Sequence, residues 1–473
     1  MRRRLANATI APVKKLSHRL LSLGLQRYAR TAALVAVSFA GGAATTLVGF
    51  HPARATSQDE SPYGAMAQLG RVLVTVENEY VEPVDRGKMV KGAIEGMVAG
   101  LDPHSSYMPP QDFALFQSDT QGEFGGVGVE VDARNDVITV IAPIEGSPAE
   151  RAGIRSGDKL LAVDGETSIG IGLEKMVRRM RGKPGTHVKL TLRREGVKEP
   201  ITVDLAREII KVPSVASRML KGDVAYIRIK QFQDRTHDEL VRAVGRLRGE
   251  SRGKIAGVVL DMRNNPGGLV DEAAEVADEF LGGGTIYTAR HRGQVLDEVR
   301  ARAGGALVDA PTVVLVSAYT ASAAELVTGA LQDAKRAKVI GSQTFGKGSV
   351  QTIFELPGGA GMRLTTERYY TPAGHAVQAD GIHPDVVVNA DDTTFPLVRE
   401  RDLAGHLEGE APATEKAEKG EHAVVVDAGA EARAREEAEA ETSGGSVAKV
   451  PVDPETGNDT VLKIGYGVLV RGR

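Results

Sequence analysis

A chain of 473 residues is long enough for two or three domains with substantial cores. Its 59 Lys and Arg against 62 Asp and Glu leave a formal net charge of -3, which gives no sign of nucleic-acid binding or of acidic substrates. With no cysteine, disulfides, thiol catalysis and cysteine-held metals are excluded; with no tryptophan and only 4% aromatic residues, the cores must be mostly aliphatic.

At the N-terminus, Arg2, Arg3, Arg4, Lys14, Lys15, Arg19, Arg27 and Arg30 precede an uncharged Ala- and Gly-rich apolar run from Thr31 to Phe50. Residues 1–55 read as an export signal or an inner-membrane anchor. Ala53-Arg54-Ala55 has the small-x-small form of a cleavage site, while about 20 apolar residues also suffice to span a bilayer. In either case the basic flank stays in the cytoplasm and the rest lies in the periplasm. Over 56–120 the spacing of Met66, Leu69, Val72, Leu73 and Val76, then of Met89, Val90, Ile94 and Met97, predicts amphipathic helices that need a partner surface.

From Phe124 to Val131 a glycine-rich turn, including Gly126, Val127, Gly128 and Val129, leads into an alternating strand. With Ser147-Pro148-Ala149-Glu150-Arg151-Ala152-Gly153-Ile154 and Gly157-Asp158-Lys159-Leu160 downstream, residues 121–208 resemble a PDZ domain. In such a domain, N–H groups of the Val127-Gly128-Val129 loop capture a terminal carboxylate while the peptide adds a strand to the sheet edge. Apolar residues between Leu173 and Met180 would line the pocket for the last side chain, predicting apolar C-termini.

Within 209–405, the strand-like Ile255–Val259 run leads through Leu260-Asp261-Met262-Arg263-Asn264-Asn265-Pro266-Gly267-Gly268 to a helix over Asp271–Leu281. The glycines make either a plain tight turn or a backbone that approaches a ligand, with N–H groups free to complete an oxyanion hole. Thr312-Val313-Val314-Leu315-Val316 is a short buried strand, and Ala323, Leu326, Val327, Ala330, Leu331 and Ala334 then recur at helical spacing, with Glu325, Gln332, Asp333 and Lys335 on other faces. Ser322 starts that helix, either as an ordinary N-cap or as a nucleophile beside the positive end of the helix dipole. Lys347 and Gln351 follow. A lysine activates a serine only when neutral, so burial must depress its pKa, and an amide can hold the amine without adding the negative charge that would raise it. Four extended residues span about 13 Å, so the chain must bend between Lys347 and Gln351, which the flanking Gly346 and Gly348 permit.

Gly341–Lys347 matches the start of a phosphate-binding loop, but Gly348 stands where Ser or Thr is required, and Val350, Thr352, Phe354 and Leu356 alternate as a strand rather than opening a helix. His375, Asp380, His383 and Asp385 lie among Pro372, Gly374, Gly381 and Pro384 and lack zinc-peptidase spacing, so they read as a loop and no metal is expected. His104 beside Asp102 is a weaker base candidate than Lys347, since no Gly-x-Ser-x-Gly elbow surrounds Ser322. Residues 406–473 shift to Ala, Glu and Lys, acidic over Glu431–Glu441, and read as a largely disordered tail whose last apolar stretch, Val461–Val470, is able to dock back.

Taken in order, the segments around Gly267, Ser322 and Lys347, with Leu101–Tyr107 upstream and Gly381–Val386 downstream, resemble the carboxyl-terminal processing peptidases, or tail-specific serine proteases, over roughly residues 65–405. The resemblance implies a multi-domain α/β (α+β) protein: a PDZ domain inserted beside a mixed β/α serine peptidase core, with a helical N-terminal cap. It implies Ser322 as nucleophile, Lys347 as base, Gln351 as its orienting residue, and an oxyanion hole from the N–H groups of Ala323 and of Gly268 or Gly267. Ala324 stands where many members have a second serine, and Tyr319 replaces a small or polar residue. The activity implied is an exported endopeptidase acting on peptides or proteins with apolar C-termini, without a cofactor. A homodimer is implied by the helical cap, and there is room for an adaptor or activator protein. The alternative is a catalytically silent PDZ scaffold.

Overall fold

The computed structural model describes residues 62–134, 137–168, 170–389, 397–410, 424–427 and 450–471. The export segment over 1–55 and the acidic Glu431–Glu441 run lie outside the described residues. Two compact units divide between Val90 and Lys91. In the first, α1 (Pro62–Glu79) and the start of α2 (Arg86–Ala99) occupy the stretch where helical spacing was read. Arg86 forks onto Glu77 through two hydrogen bonds of 2.8 and 2.7 Å, and Met66, Leu69, Val72 and Val76 of α1 are exposed.

The second unit opens with β1 (Ser106–Met108), α3 (Pro110–Thr120) and β2 (Glu123–Gly126). An antiparallel sheet follows, made by β3 (Val129–Arg134), β4 (Val137–Pro143), β5 (Lys159–Val163), β6 (Glu166–Thr167), β7 (His187–Arg193) and β8 (Ile201–Ala206), with helices α4 (Pro148–Arg151) and α5 (Leu173–Met180). Along β7, Val188, Leu190 and Leu192 are buried while His187, Lys189 and Arg193 are exposed, the period of a strand with one wet face. The order is β3-β4-β5-β7-β8, so β3 is an edge. β9 (Glu208–Lys211) then pairs back onto β2 and closes the module.

The remaining chain contributes β10 (Val215–Leu220), β11 (Val224–Ile229), α6 (Thr236–Glu250), β12 (Gly257–Asp261), α7 (Val270–Asp278), β13 (Thr285–His291), β14 (Gln294–Arg300), β15 (Thr312–Val316), α8 (Ala323–Asp333), β16 (Ala337–Gly341), β17 (Ser349–Leu356), β18 (Ala360–Tyr370), β19 (Val386–Asn389), β20 (Val424–Asp427) and α9 (Thr460–Arg471). The main sheet runs β10-β11-β12-β15-β16-β19-β20, parallel from β11 onward. Every residue of β12 and β15 is buried, and all but the terminal Asp261 and Thr312 are apolar or glycine, as suits parallel strands covered on both faces. On one face, Leu240 and Val244 of α6, Val276 of α7 and Leu326 and Val327 of α8 pack with Ile227, Val258 and Val314. On the other, Leu462, Tyr466 and Leu469 of α9 pack with Tyr226, Val259, Leu315 and Ile340. A second, antiparallel sheet of β1, β18, β13 and β14, with β17 also on β18, carries the segment after Lys347.

The helix read from Ala323 is α8, but Glu325 does not take a solvated face: it is fully buried, one of nine consecutive buried residues from Ala323 to Leu331. Residues 450–471 fold onto the sheet, as the apolar run at Val461–Val470 allowed, because the buried Leu462, Tyr466 and Leu469 recur at helical spacing.

Candidate active site

Strand β15 ends at Val316, and the chain turns through Ser317–Ala321 into α8. Ser322 sits at the turn with φ 55° and ψ -122°, a conformation that costs a non-glycine residue about 1–3 kcal/mol. A capping serine ordinarily lies in the extended region, so this backbone is more than a plain helix start requires.

The strain is held from both sides. Glu325 Oε2 accepts the N–H of Ser322 at 2.7 Å and that of Lys347 at 2.9 Å, while its Oε1 accepts the Gly346 N–H at 2.7 Å and the Thr344 hydroxyl at 2.5 Å. On the carbonyl side, the hydroxyl of buried Tyr369 lies 2.8 Å from the Ser322 oxygen and 2.9 Å from the Lys347 oxygen, donating its one hydrogen between them. Burial carries that phenol well above its ordinary pKa, so it stays a donor. Burial likewise pushes the Glu325 carboxyl up to about 7 against the pull of its four donors. One carboxylate and one phenol thus fix the backbones of Ser322 and Lys347 to each other.

The Lys347 side chain is half-buried and forms no salt bridge among the described residues. Burial, seconded by the positive charge of Arg363, pulls its ammonium down to about 8, against Glu400, Asp102 and Glu325, which pull it up. Gly346, just before Lys347, takes φ 97°, and Gly348 lies so close to Gln378 that a Cβ there would fall 2.4 Å from the Gln378 nitrogen. β17 then begins at Ser349, with a bulge opposite Val350 and Gln351. The Gln351 amide nitrogen donates to Ser349 Oγ at 3.0 Å and to Thr365 Oγ1 at 3.3 Å, leaving its carbonyl oxygen as the atom able to accept from an amine.

Two outlying carboxylates brace this loop. Asp102 accepts from Ser105 Oγ at 2.7 Å, from the His104 and Ser105 N–H groups, and from Thr365 Oγ1 at 3.1 Å; burial pushes its carboxyl up, but these bonds together bring it below the ordinary value. Glu400, fully buried, takes His104 Nε2 at 2.8 Å and Gln378 Nε2 at 2.9 Å, and Gln378 Oε1 in turn accepts the Gly348 N–H at 3.0 Å. His104 is therefore engaged with Glu400.

The glycine turn lies against Ser322. A Cβ on Gly267 would fall 2.7 Å from Ser322 Cβ and 3.0 Å from the Ala323 nitrogen, and one on Gly268 would fall 1.9 Å from the Phe232 oxygen. Only residues without side chains fit at φ 99° and 137° there. The Gly267 N–H is given to Asn265 Oδ1 at 2.9 Å, whereas the N–H groups of Gly268 and Ala323 have no acceptor among the described residues. The Ala321 N–H donates to the Asn265 carbonyl at 2.9 Å and ties the turn to the serine.

In the antiparallel module, Gly126 ends β2 opposite Glu208, and Val127 and Gly128 connect it to β3. The Val127 carbonyl accepts from Ala149 N at 2.9 Å, and the Gly128 carbonyl from Ile144 N and Ser147 Oγ, both at 2.9 Å. Their carbonyls are thus tied inward, and their N–H groups have no acceptor among the described residues. Val129 begins the edge strand β3, and it and the half-buried Leu173 and Val177 of α5 pack against the same core cluster.

Histidines of the 375–385 loop spend their side chains separately: His383 on Asp380 at 3.1 Å and His375 beside Asp333 at 3.8 Å, while Asp385 accepts the Val339 N–H at 2.7 Å. Sequence reasoning missed Glu325 and Tyr369. The Ser-x-x-Glu spacing of a capping box was the available signal for Glu325; for Tyr369, 47 residues from Ser322, there was none.

The model of peptidase family S41 matches residues 223–388, that of a PDZ domain residues 139–194, and that of the activating protease CtpB N-terminal domain residues 41–111. A carboxy-terminal-processing protease of Bartonella bacilliformis is 38% identical over 425 residues, 88% of this chain and 90% of the relative. A carboxyl-terminal-processing protease of a Picosynechococcus species is 41% identical over 303 residues, 63% of this chain and 72% of the relative. Among solved structures, the photosystem II D1 C-terminal processing protease is similar, at 31% identity and a TM-score of 0.43, over 67% of this chain and 86% of that one. The chain therefore belongs to the carboxyl-terminal processing proteases, serine peptidases of family S41, and carries their PDZ domain.

Proposed function

We propose that Ser322 and Lys347 are the nucleophile and general base of an endopeptidase that takes apolar C-terminal tails on its PDZ domain. The carrying observation is the joint clamp of Glu325 and Tyr369, which fixes the two backbones together, while the Lys347 amine has no ion pair among the described residues. In acylation, Ser322 Oγ attacks the scissile carbonyl as its proton passes to neutral Lys347 Nζ; Lys347 then gives that proton to the departing amine as the C–N bond breaks. Water next attacks the acyl-enzyme, its proton going to Lys347 and on to Ser322 Oγ as the ester breaks. The free N–H groups of Gly268 and Ala323 support the oxyanion-hole reading, with Gly268 favoured over Gly267 because the Gly267 N–H is already engaged. Gln351 keeps its orienting role through its carbonyl oxygen.

For the tail, the inward-tied carbonyls of Val127 and Gly128 leave N–H groups for a terminal carboxylate, and the open edge of β3 leaves room for an added strand. Half-buried Leu173 and Val177 favour an apolar last residue. The basic flank before Thr31–Phe50 supports export, with the protease outside the inner membrane.

The test compares the protein from Thr56 onward with its Ser322→Ala and Lys347→Ala variants on an unstructured substrate with an apolar C-terminus, followed by mass spectrometry. Cleavage by the parent alone, with all three binding the tail, is expected. Equal cleavage by Ser322→Ala removes Ser322 as nucleophile, and binding without cleavage by any of them favours a scaffold.

A further inference from the structure

Arg263 opens the turn that carries Gly267 and Gly268, and its guanidinium is gripped from two directions. Fully buried Asp261 receives its Nε at 3.0 Å and its Nη2 at 2.6 Å, together with the Arg263 N–H at 3.0 Å and the Tyr226 hydroxyl at 2.6 Å. Asp459, at the start of α9, receives Nη1 at 2.9 Å and Nη2 at 2.7 Å. Two carboxylates thus hold one planar cation in a fixed fork. Asp459 is itself anchored: its Oδ1 takes the Leu462 N–H at 2.9 Å, and α9 buries Leu462, Tyr466 and Leu469 on the sheet. Gly465 allows that approach, since a Cβ there would fall 2.7 Å from Leu315 Cδ2. The segment before α9 is tied down too, by Lys221 N to the Val452 carbonyl at 2.7 Å and by Lys221 Nζ to Asp453 at 2.7 Å.

We propose that the C-terminal segment is a working part of the active site: through Asp459 it holds Arg263, and with it the turn Asn264–Gly268, in register beside Ser322. The inference rests on the assignment of Ser322 as nucleophile. Asp459 is a positioning residue, because it touches Arg263 and no reacting atom. The charged groups that meet that guanidinium are Asp261 and Asp459, while Tyr226 and Arg228 act on Asp261. Asp261 already fixes the inner edge of the fork, and among the described residues only Asp459 fixes its Nη1 edge. Loss of that edge leaves the guanidinium held by Asp261 alone and loosens the backbone that follows it. The Gly268 N–H moves with that backbone.

Asp459→Asn isolates the charge, since asparagine still caps a helix and keeps an oxygen for the Leu462 N–H; Asp459→Glu restores the charge. In the full chain, amide hydrogen exchange over residues 262–269 and turnover of the apolar-tailed substrate are measured together. Asp459→Asn is expected to speed exchange at 262–269 but not at 460–471, and to lower kcat about tenfold at nearly unchanged KM, a fraction of the ~10²–10³ that outright loss of an oxyanion donor costs. Asp459→Glu should recover most of both. Unchanged exchange at 262–269, or faster exchange there with unchanged kcat, overturns the inference. So does faster exchange of 460–471 that Glu does not rescue, which would mean that the helix has simply come off. A parent chain without turnover fails the assignment of Ser322 instead, and the exchange arm then decides by itself whether Asp459 holds the turn.

Discussion

With an ordinary pKa of about 10.4, a lysine is neutral at pH 7 in roughly one molecule in 2,500; held at about 8, Lys347 is neutral in roughly one in ten. If Lys347 is the base proposed above, the site gains a factor of about two hundred in its neutral form, worth about 3 kcal/mol. The acid limb of kcat/KM should rise about tenfold per pH unit below 8 and flatten above it. Charge removal distinguishes Lys347 from any other group titrating there. Arg363→Met takes away a positive charge that depresses Lys347, so the limb should move to higher pH; Glu400→Gln takes away a negative charge that raises it, so the limb should move lower. The same depression costs stability. Between about pH 8 and 10.4 the folded protein binds fewer protons at Lys347 than the unfolded chain does, so the cost, at most about 3 kcal/mol, is fully present below 8 and is relieved as pH rises toward 10.4. In a Ser322→Ala background, Lys347→Met should therefore stabilise by up to that amount at pH 7, and the gain should shrink by pH 10. The assay is a pH series of initial rates with denaturant melts alongside. Shifts of the limb in the same direction for both charge variants, or a limb at the ordinary lysine value, would refute the buried-lysine argument.

Three other outcomes follow from the clamp and the turn. Glu325→Gln would set an amide NH₂ against two of the donors that the carboxylate now receives; it should lower stability by about 2–5 kcal/mol in a denaturant melt and abolish turnover, while tail binding persists in calorimetry. Tyr369→Phe removes the one hydroxyl shared by the Ser322 and Lys347 carbonyls and should cost about 1–2 kcal/mol, with a larger fall in kcat than in tail affinity; an unchanged kcat would show that the Glu325 side alone suffices. Gly268→Ala places a Cβ 1.9 Å from the Phe232 carbonyl and must displace the turn, so kcat should fall by about 10² or more in a single-turnover assay with binding retained.

Much of the core was legible because its strands are covered on both faces. Thr312–Val316 is an unbroken apolar run and is β15 to the residue; the helical spacing after Ser322 is α8. The role of Glu325 was not legible because a helix pattern sorts residues by face and does not show what covers each face. Its four donors come partly from residues 344–347, and that loop cannot be placed against α8 without the parallel pairing of β15 and β16. Asp459 was hidden for a similar reason. It sits in an acidic, Gly- and Pro-punctuated stretch that reads as linker, and its partner Arg263 is 196 residues away. In both cases the local sequence gives the residue type, and only tertiary pairing gives it a role.

A serine held at φ 55° and a buried lysine with no ion pair among the described residues are each unfavourable, and the way they are fixed explains how both persist. A salt bridge from Lys347 Nζ would hold the lysine in place but would return its pKa toward the ordinary value and block proton transfer. Instead the fixing bonds fall on its backbone, the N–H on Glu325 and the C=O on Tyr369, and the same two side chains hold the backbone of Ser322. Under the proposed mechanism, positioning is thereby separated from chemistry: the amine is left to take and return a proton while the backbones of Lys347 and Ser322 are fixed by groups that do not react. Glu325 can serve this way only because three N–H groups and a hydroxyl converge on it, so that its negative charge, which raises the Lys347 pKa, is outweighed there by burial and Arg363.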